Sequence, residues 1–186
     1  MKIGLVGEAP NDTAAIKNLL SKQYRGKGFV FENMLDNITG SQLDNKYTET
    51  LLRLENQFKK PDLIIFIRDL DALWTDRAQR FKRKRYFVKN NNIVQRIGIP
   101  LLHVYEIEAL IFADIETFNA LYGTIIPVHE NVSTIVEPKE VLFKETKNKY
   151  SETHNAKIFN QLRFGKLLDC AYFKAFIENF EKATTR

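Results

Sequence analysis

A chain of 186 residues is long enough to bury a core of its own and too short for two full domains. Its hydrophobic fraction of 44% and charged fraction of 27% exclude a disordered chain, and its apolar runs fall far short of the roughly 20 residues that span a bilayer. The formal charge of +5 permits an anionic partner without requiring one, and a lone cysteine, Cys170, excludes an intramolecular disulfide and a multi-cysteine metal site.

Residues 2–6 read as a short buried strand entered directly from Met1, with no secretory leader before it, so a cytoplasmic protein without a membrane partner is expected. Gly7 to Asp12 reads as a turn rich in helix-start residues, ahead of a helix over 14–24. A short strand at 29–31, a polar loop with Gly40 and a helix over 41–58 follow, ended by Lys59, Lys60 and Pro61. The run 63–67 is continuously apolar and largely β-branched, the pattern of a central strand covered on both faces in a parallel sheet. A basic helical stretch to about residue 90, a strand over 99–105 and a helix over 107–113 complete a βαβαβαβα order.

That alternation predicts an α/β fold, Rossmann-like, with a mostly parallel sheet, helices on both faces and a ligand site at the carboxyl ends of the strands. Beyond residue 123 the pattern changes to short elements: 125–128, a helix opened by Pro138, and helices near 154–162 and 172–182. No Gly- or Ser-rich linker intervenes. Residues 124–186 therefore read as a helical extension packed on the 1–123 core within one structural domain.

Acidic residues gather after the predicted strands: Glu8 with Asp12 after the first, Asp69 with Asp71 after the third, Glu106 with Glu108 after the fourth. Carboxylates collected at one sheet edge repel one another, and a hard cation with oxygen ligands is the natural remedy. Mg²⁺, or Mn²⁺ in its place, suits one Glu and an Asp-x-Asp pair, and an extended chain sets Asp69 and Asp71 on one side. Asp12 is placed equally well to cap the first helix. Glu106 and Glu108 stand near a helix start, where the macrodipole alone accounts for one of them.

Gly7-Glu8-Ala9-Pro10-Asn11-Asp12 and Asp69-Leu70-Asp71 resemble the Glu and Asp-x-Asp signatures of TOPRIM domains, the fold of topoisomerases, primases, ribosomal RNA maturases and overcoming-lysogenization-defect nucleases. The stretches 106–114 and 138–142 resemble a family of small stand-alone bacterial TOPRIM-like proteins of unknown function. The resemblance implies Glu8 as proton carrier or metal ligand, Asp69 and Asp71 as Mg²⁺ ligands, Glu108 as a further acidic participant and Asp114 as an additional one. Two departures stand out. Ala9 replaces the Gly that usually follows the Glu, and Ser151 and Glu152 stand where a Lys is expected after Tyr150.

The densest basic stretch, with Arg77, Arg80, Lys82, Arg83 and Arg85, begins just past the Asp-x-Asp pair and reads either as a phosphate-contacting stripe or as a solvated helix face. Trp74 reads as a packing residue, and the three histidines lack zinc spacing. The resulting expectation is Mg²⁺-dependent phosphodiester hydrolysis on DNA or RNA, within a bacterial defence or DNA-processing system that could include a partner ATPase. The competing readings are a non-catalytic regulatory or nucleic-acid-binding partner and a haloacid-dehalogenase-type phosphatase. The latter is weakened because its motif normally follows the first strand.

Overall fold

The computed structural model describes residues 1–8 and 10–185, so the Ala9 departure lies outside the described residues. Four strands form one parallel sheet in the order β2-β1-β3-β4: β1 (Lys2–Val6), β2 (Val30–Asn33), β3 (Leu63–Asp69) and β4 (Gly98–His103). Between them run α1 (Asn11–Gln23), α2 (Lys46–Lys59) and α3 (Arg77–Ile93). After β4 come α4 (Ala109–Ala113), α5 (Ile115–Tyr122), α6 (Pro138–Glu145), α7 (Asn155–Gln161), α8 (Phe164–Leu167) and α9 (Ala171–Thr184). The expected α/β architecture is present, and two local expectations change. The helix expected over 41–58 is a 3₁₀ turn, Gln42–Asp44, followed by α2, because the Asn45 side chain accepts from Tyr47 N and restarts the helix. Residues 125–128 form no regular element, and Asn119 holds that segment instead, bonding both Ile126 N and Ile126 O.

The pleat of β3 divides the core. Leu63, Ile65 and Ile67 face α1 and the C-terminal helices, where they join a large cluster with Ile16, Leu20, Phe112, Phe159 and Phe173. Ile64 and Phe66 face the other way, onto Met34, Leu52 and Tyr86 beneath α2 and α3. Residues of the C-terminal helices thus share one core with the sheet, and α7 packs on α1 while α9 packs on β4.

β4 is an edge strand whose free side is blunted. Ile64 N donates to Ile97 O and Leu70 N to His103 O, so the odd-numbered residues of β4 turn their polar groups toward β3. The outward positions include Pro100, which has no N–H, and Gly98, whose N–H is taken by Asn91 Oδ1 at 2.8 Å. A Cβ at Gly98 would collide with the Phe66 ring and stand 2.7 Å from Asn91 Oδ1. Gly98→Ala is therefore expected to cost about 1–3 kcal/mol, the range for overpacking, read as a lowered midpoint in urea unfolding. An unchanged midpoint would contradict this packing of the edge.

Candidate functional site

Strand order reverses between β1 and β3: the chain leaves β1 for β2 on one side, then places β3 and β4 on the other. Such a switch point opens a crevice at the carboxyl ends of the strands. Here the crevice has a volume of about 260 Å³ and is lined by Glu8, Asp12, Asp44, Arg68, Asp69, Asp71, Lys82 and Arg83, together with Gly40 and Ser41.

Glu8 follows β1 and rests against Gly40, where any Cβ would run into its carboxylate. A side chain at residue 40 would hold that loop away from Glu8. Glu8 is exposed overall, and the partial desolvation of its carboxyl in the crevice lifts its pKa above the ordinary range, against the pull of Arg68. Asp12 lies in the first turn of α1. Pro10 occupies the cap position and no side chain caps the helix, so Asp12 is not its cap; the carboxyl is buried at the crevice instead.

Asp69 ends β3. Its Oδ1 is buried without a hydrogen-bond partner among the described residues, while its backbone oxygen accepts from Arg83 Nε at 2.7 Å. Burial first, then the negative charges of Asp12, Glu108, Asp71 and Glu8, push its pKa well above the usual aspartate value. Asp12 is raised in the same direction by burial and by Glu108 and Glu8.

The chain does not stay extended to Asp71, whose φ of 57° is left-handed, a conformation Asp tolerates better than most residues. The simple alternation expected for Asp69 and Asp71 therefore fails. Asp71 N donates to Tyr105 O and Tyr105 N to Ala72 O, so the segments after β3 and β4 turn out of the sheet together. The half-exposed Asp71 carboxylate is ion-paired with Arg83.

Two arginines wall the crevice. Arg68, buried, donates to Gly40 O at 2.9 Å, pairs with Asp44 at 3.3 Å and stands 4.7 Å over the Tyr86 ring. Arg83 does not share the solvated face of the basic stretch: it is 4% exposed and turned inward to the crevice. Its Nη1 stands 3.7 Å from Asp44 and has no hydrogen-bond partner. Arg77, Lys82 and Arg85 stay exposed and Arg80 is half-buried; none of the four has an acid within ion-pair distance among the described residues.

Other sequence candidates fall outside the crevice. Glu108 is buried behind it, accepting from Tyr150 Oη and Asn155 Nδ2, each at 2.9 Å, and acts on Asp12 and Asp69 through its charge. Glu106 accepts from Lys139 N at 3.3 Å, with Lys139 Nζ 3.7 Å away. Lys139 is also 3.8 Å from Glu152 and so supplies a cation at the corner where one was expected after Tyr150. Asp114 does not join the site. It is held by Arg163 and Thr117, and although burial works to raise its pKa, those hydrogen bonds bring it below the ordinary value. Asp44 has no signal in the sequence, and for the inward turn of Arg83 the only sign is a charged residue at helical spacing toward the core face.

A divalent cation fits this chemistry. Among the described residues Asp69 presents a buried oxygen with no hydrogen-bond partner, and burial together with the neighbouring carboxylates raises the pKa of Asp12 and Asp69, a state that a cation would relieve. No group of three or more His, Cys, Asp or Glu side chains among the described residues is arranged to hold a metal by itself. Mg²⁺ asks for less, since it takes one or two carboxylates and completes its shell with water and phosphate oxygens.

The fold and crevice together define an α/β protein with an acidic switch-point site bordered by a basic helix. Among protein families, curated proteins and solved structures, no match to this chain is found.

The raised aspartates set a pH dependence. Unfolded, Asp12 and Asp69 lose their protons near 3.8; folded, they keep them to higher pH, so the native state binds more protons than the unfolded state above that value. Metal-free protein is accordingly expected to lose stability as pH climbs from about 4 toward neutrality, the opposite of a salt-bridged aspartate. Asp69→Asn should flatten the decline. Thermal melts in EDTA between pH 4 and 8 check this, and a melting point that rises across the whole range would refute it.

Proposed function

We propose that this protein is a TOPRIM-type nuclease that hydrolyses phosphodiester bonds in nucleic acid with Mg²⁺ or Mn²⁺. One observation carries the reading: the residues lining the crevice include Asp69, whose buried Oδ1 has no hydrogen-bond partner among the described residues, and Arg83, whose buried Nη1 makes no hydrogen bond and has only Asp44 at 3.7 Å. A cation answers the first and a phosphate oxygen the second. Metal-bound phosphate brings both at once.

Asp69 and Asp71 would hold the ion, with Glu8 beside them. When bound, it polarises a phosphoryl oxygen and makes a coordinated water more acidic. Glu8, with its raised pKa, exchanges a proton with the attacking water or the leaving oxygen. Arg83 and Lys82 orient the phosphate from the α3 side of the crevice. Arg68 fixes the Gly40 loop against Glu8, and Glu108, tied to Tyr150 and Asn155, keeps the rear of the site negative.

The Arg83–Asp71 ion pair favours a second reading, a non-catalytic binding module in which arginine does the work of the cation. Titration of Mg²⁺ and Mn²⁺ against supercoiled DNA, linear DNA and structured RNA separates the two. Wild type is expected to cleave at least one substrate and to melt higher with Mg²⁺, whereas Glu8→Gln should lose about 10²–10⁴-fold in rate. Asp69→Asn should lose cleavage and the Mg²⁺-dependent stabilisation together. Binding without cleavage, in a protein whose melting point ignores millimolar Mg²⁺, would establish the binding module.

The exposed side of α3 has its own test. Replacing Arg80, Lys82 and Arg85 by Ala is expected to lower nucleic-acid affinity and flatten its dependence on salt by about one phosphate contact per residue removed. An unchanged slope would assign these cations to solubility.

A further inference from the structure

A second, larger depression of about 1100 Å³ lies between α3, β4 and α9, and its lining includes Trp74, Arg80, Lys84, Phe87, Tyr172 and Phe176. Its walls are mostly apolar, against the polar crevice next door. We propose that this groove receives the unstacked bases of a single-stranded nucleic acid whose backbone follows α3 to the acidic crevice, an inference that rests on the nucleic-acid reading above.

Three observations point to this occupant. First, α3 carries Arg77, Arg80, Lys82, Arg83, Lys84, Arg85 and Lys89 with no acidic residue, and it borders both depressions: Arg80 and Lys84 line the groove, Lys82 and Arg83 the crevice. A phosphate track therefore runs along one helix from groove to site. Second, Trp74 is 47% exposed, three residues past Asp71, with the Arg80 guanidinium 5.2 Å from its ring centroid. An exposed indole beside a cation is a stacking surface with a phosphate contact attached. Third, the neighbouring sheet edge is ill suited to a polypeptide strand, because Pro100 and the Asn91-bonded Gly98 remove two of its outward donors. A duplex keeps its base faces stacked inside, so an apolar groove offers it nothing beyond backbone contacts.

Trp74 is the chain's single tryptophan, which makes it a direct reporter. In EDTA, oligothymidylate and oligouridylate are expected to quench its fluorescence, while a blunt DNA duplex of equal length leaves it nearly unchanged. By anisotropy of labelled oligothymidylate, Trp74→Ala should bind about tenfold more weakly with the salt slope retained, as expected for one lost stacking contact. Trp74→Phe should recover most of the affinity, which guards against a variant that fails through misfolding. Equal quenching by duplex, or full affinity in Trp74→Ala, would overturn the groove assignment while leaving nucleic-acid binding in place. Failure of wild type to bind any nucleic acid would overturn both. A dimer in sedimentation velocity that Trp74→Ala dissociates would assign the groove to self-association and overturn the proposal as well.

Discussion

Burial of the Asp69 Oδ1 atom at the end of the central strand is the constraint on which the site is organised. A carboxyl placed at a strand end between α1 and β4, with no hydrogen-bond partner for Oδ1 and with Asp12 and Glu108 acting on it, is unfavourable as an anion. The surrounding contacts limit that cost without removing it. Arg83 spends its Nε on the Asp69 backbone oxygen and pairs with Asp71, while Arg68 pairs with Asp44 and grips Gly40. Among the described residues no cation reaches Asp69 Oδ1 itself. Local polar frustration kept inside an otherwise well-packed core is what the proposed metal site would relieve.

The parity of β3 explains how acids and bases stand side by side without annulling each other. Odd positions through Asp69 face the α1 side, where Asp12 and Glu108 gather; even positions through Arg68 face α2 and α3, where Asp44, Tyr86 and Arg83 gather. The sheet separates an acidic rear from a basic front, and the two meet only where β3 ends. Asp71, turned into the left-handed region, crosses from one side to the other and joins Arg83.

Legibility in the sequence followed the same division. Strand β3 was readable because an apolar β-branched run has one stable home, a doubly covered strand, and Glu8 and Asp69 were readable because acids directly after such strands fall at the ligand edge. Asp71 is legible as a residue while its left-handed conformation is not, since period-two reasoning holds only while the chain is extended. Arg83 is more buried, and Trp74 more exposed, than residue type alone suggests. Residue type carries average burial, and at a site the average is what gives way: a buried ion pair accepts the arginine, and an open groove leaves the indole uncovered. Asp44 had no signal because it sits in a 3₁₀ turn that a continuous helix over 41–58 would have hidden.

The placement of α3 carries the argument one step further. A parallel crossover from β3 to β4 must lay its helix across one face of the sheet, and a helix there buries an apolar stripe, as Tyr86 does against Phe66. Its first turns necessarily begin near the carboxyl end of β3, because the chain has only the segment 70–76 in which to turn. Positive charge written into those turns is thereby delivered to the mouth of the crevice whatever the rest of the helix does, which is why Lys82 and Arg83 line it while Lys89, two turns on, pairs with Glu49 of α2. Topology fixes which cations can act at the site, and only those near the start of the helix are in range.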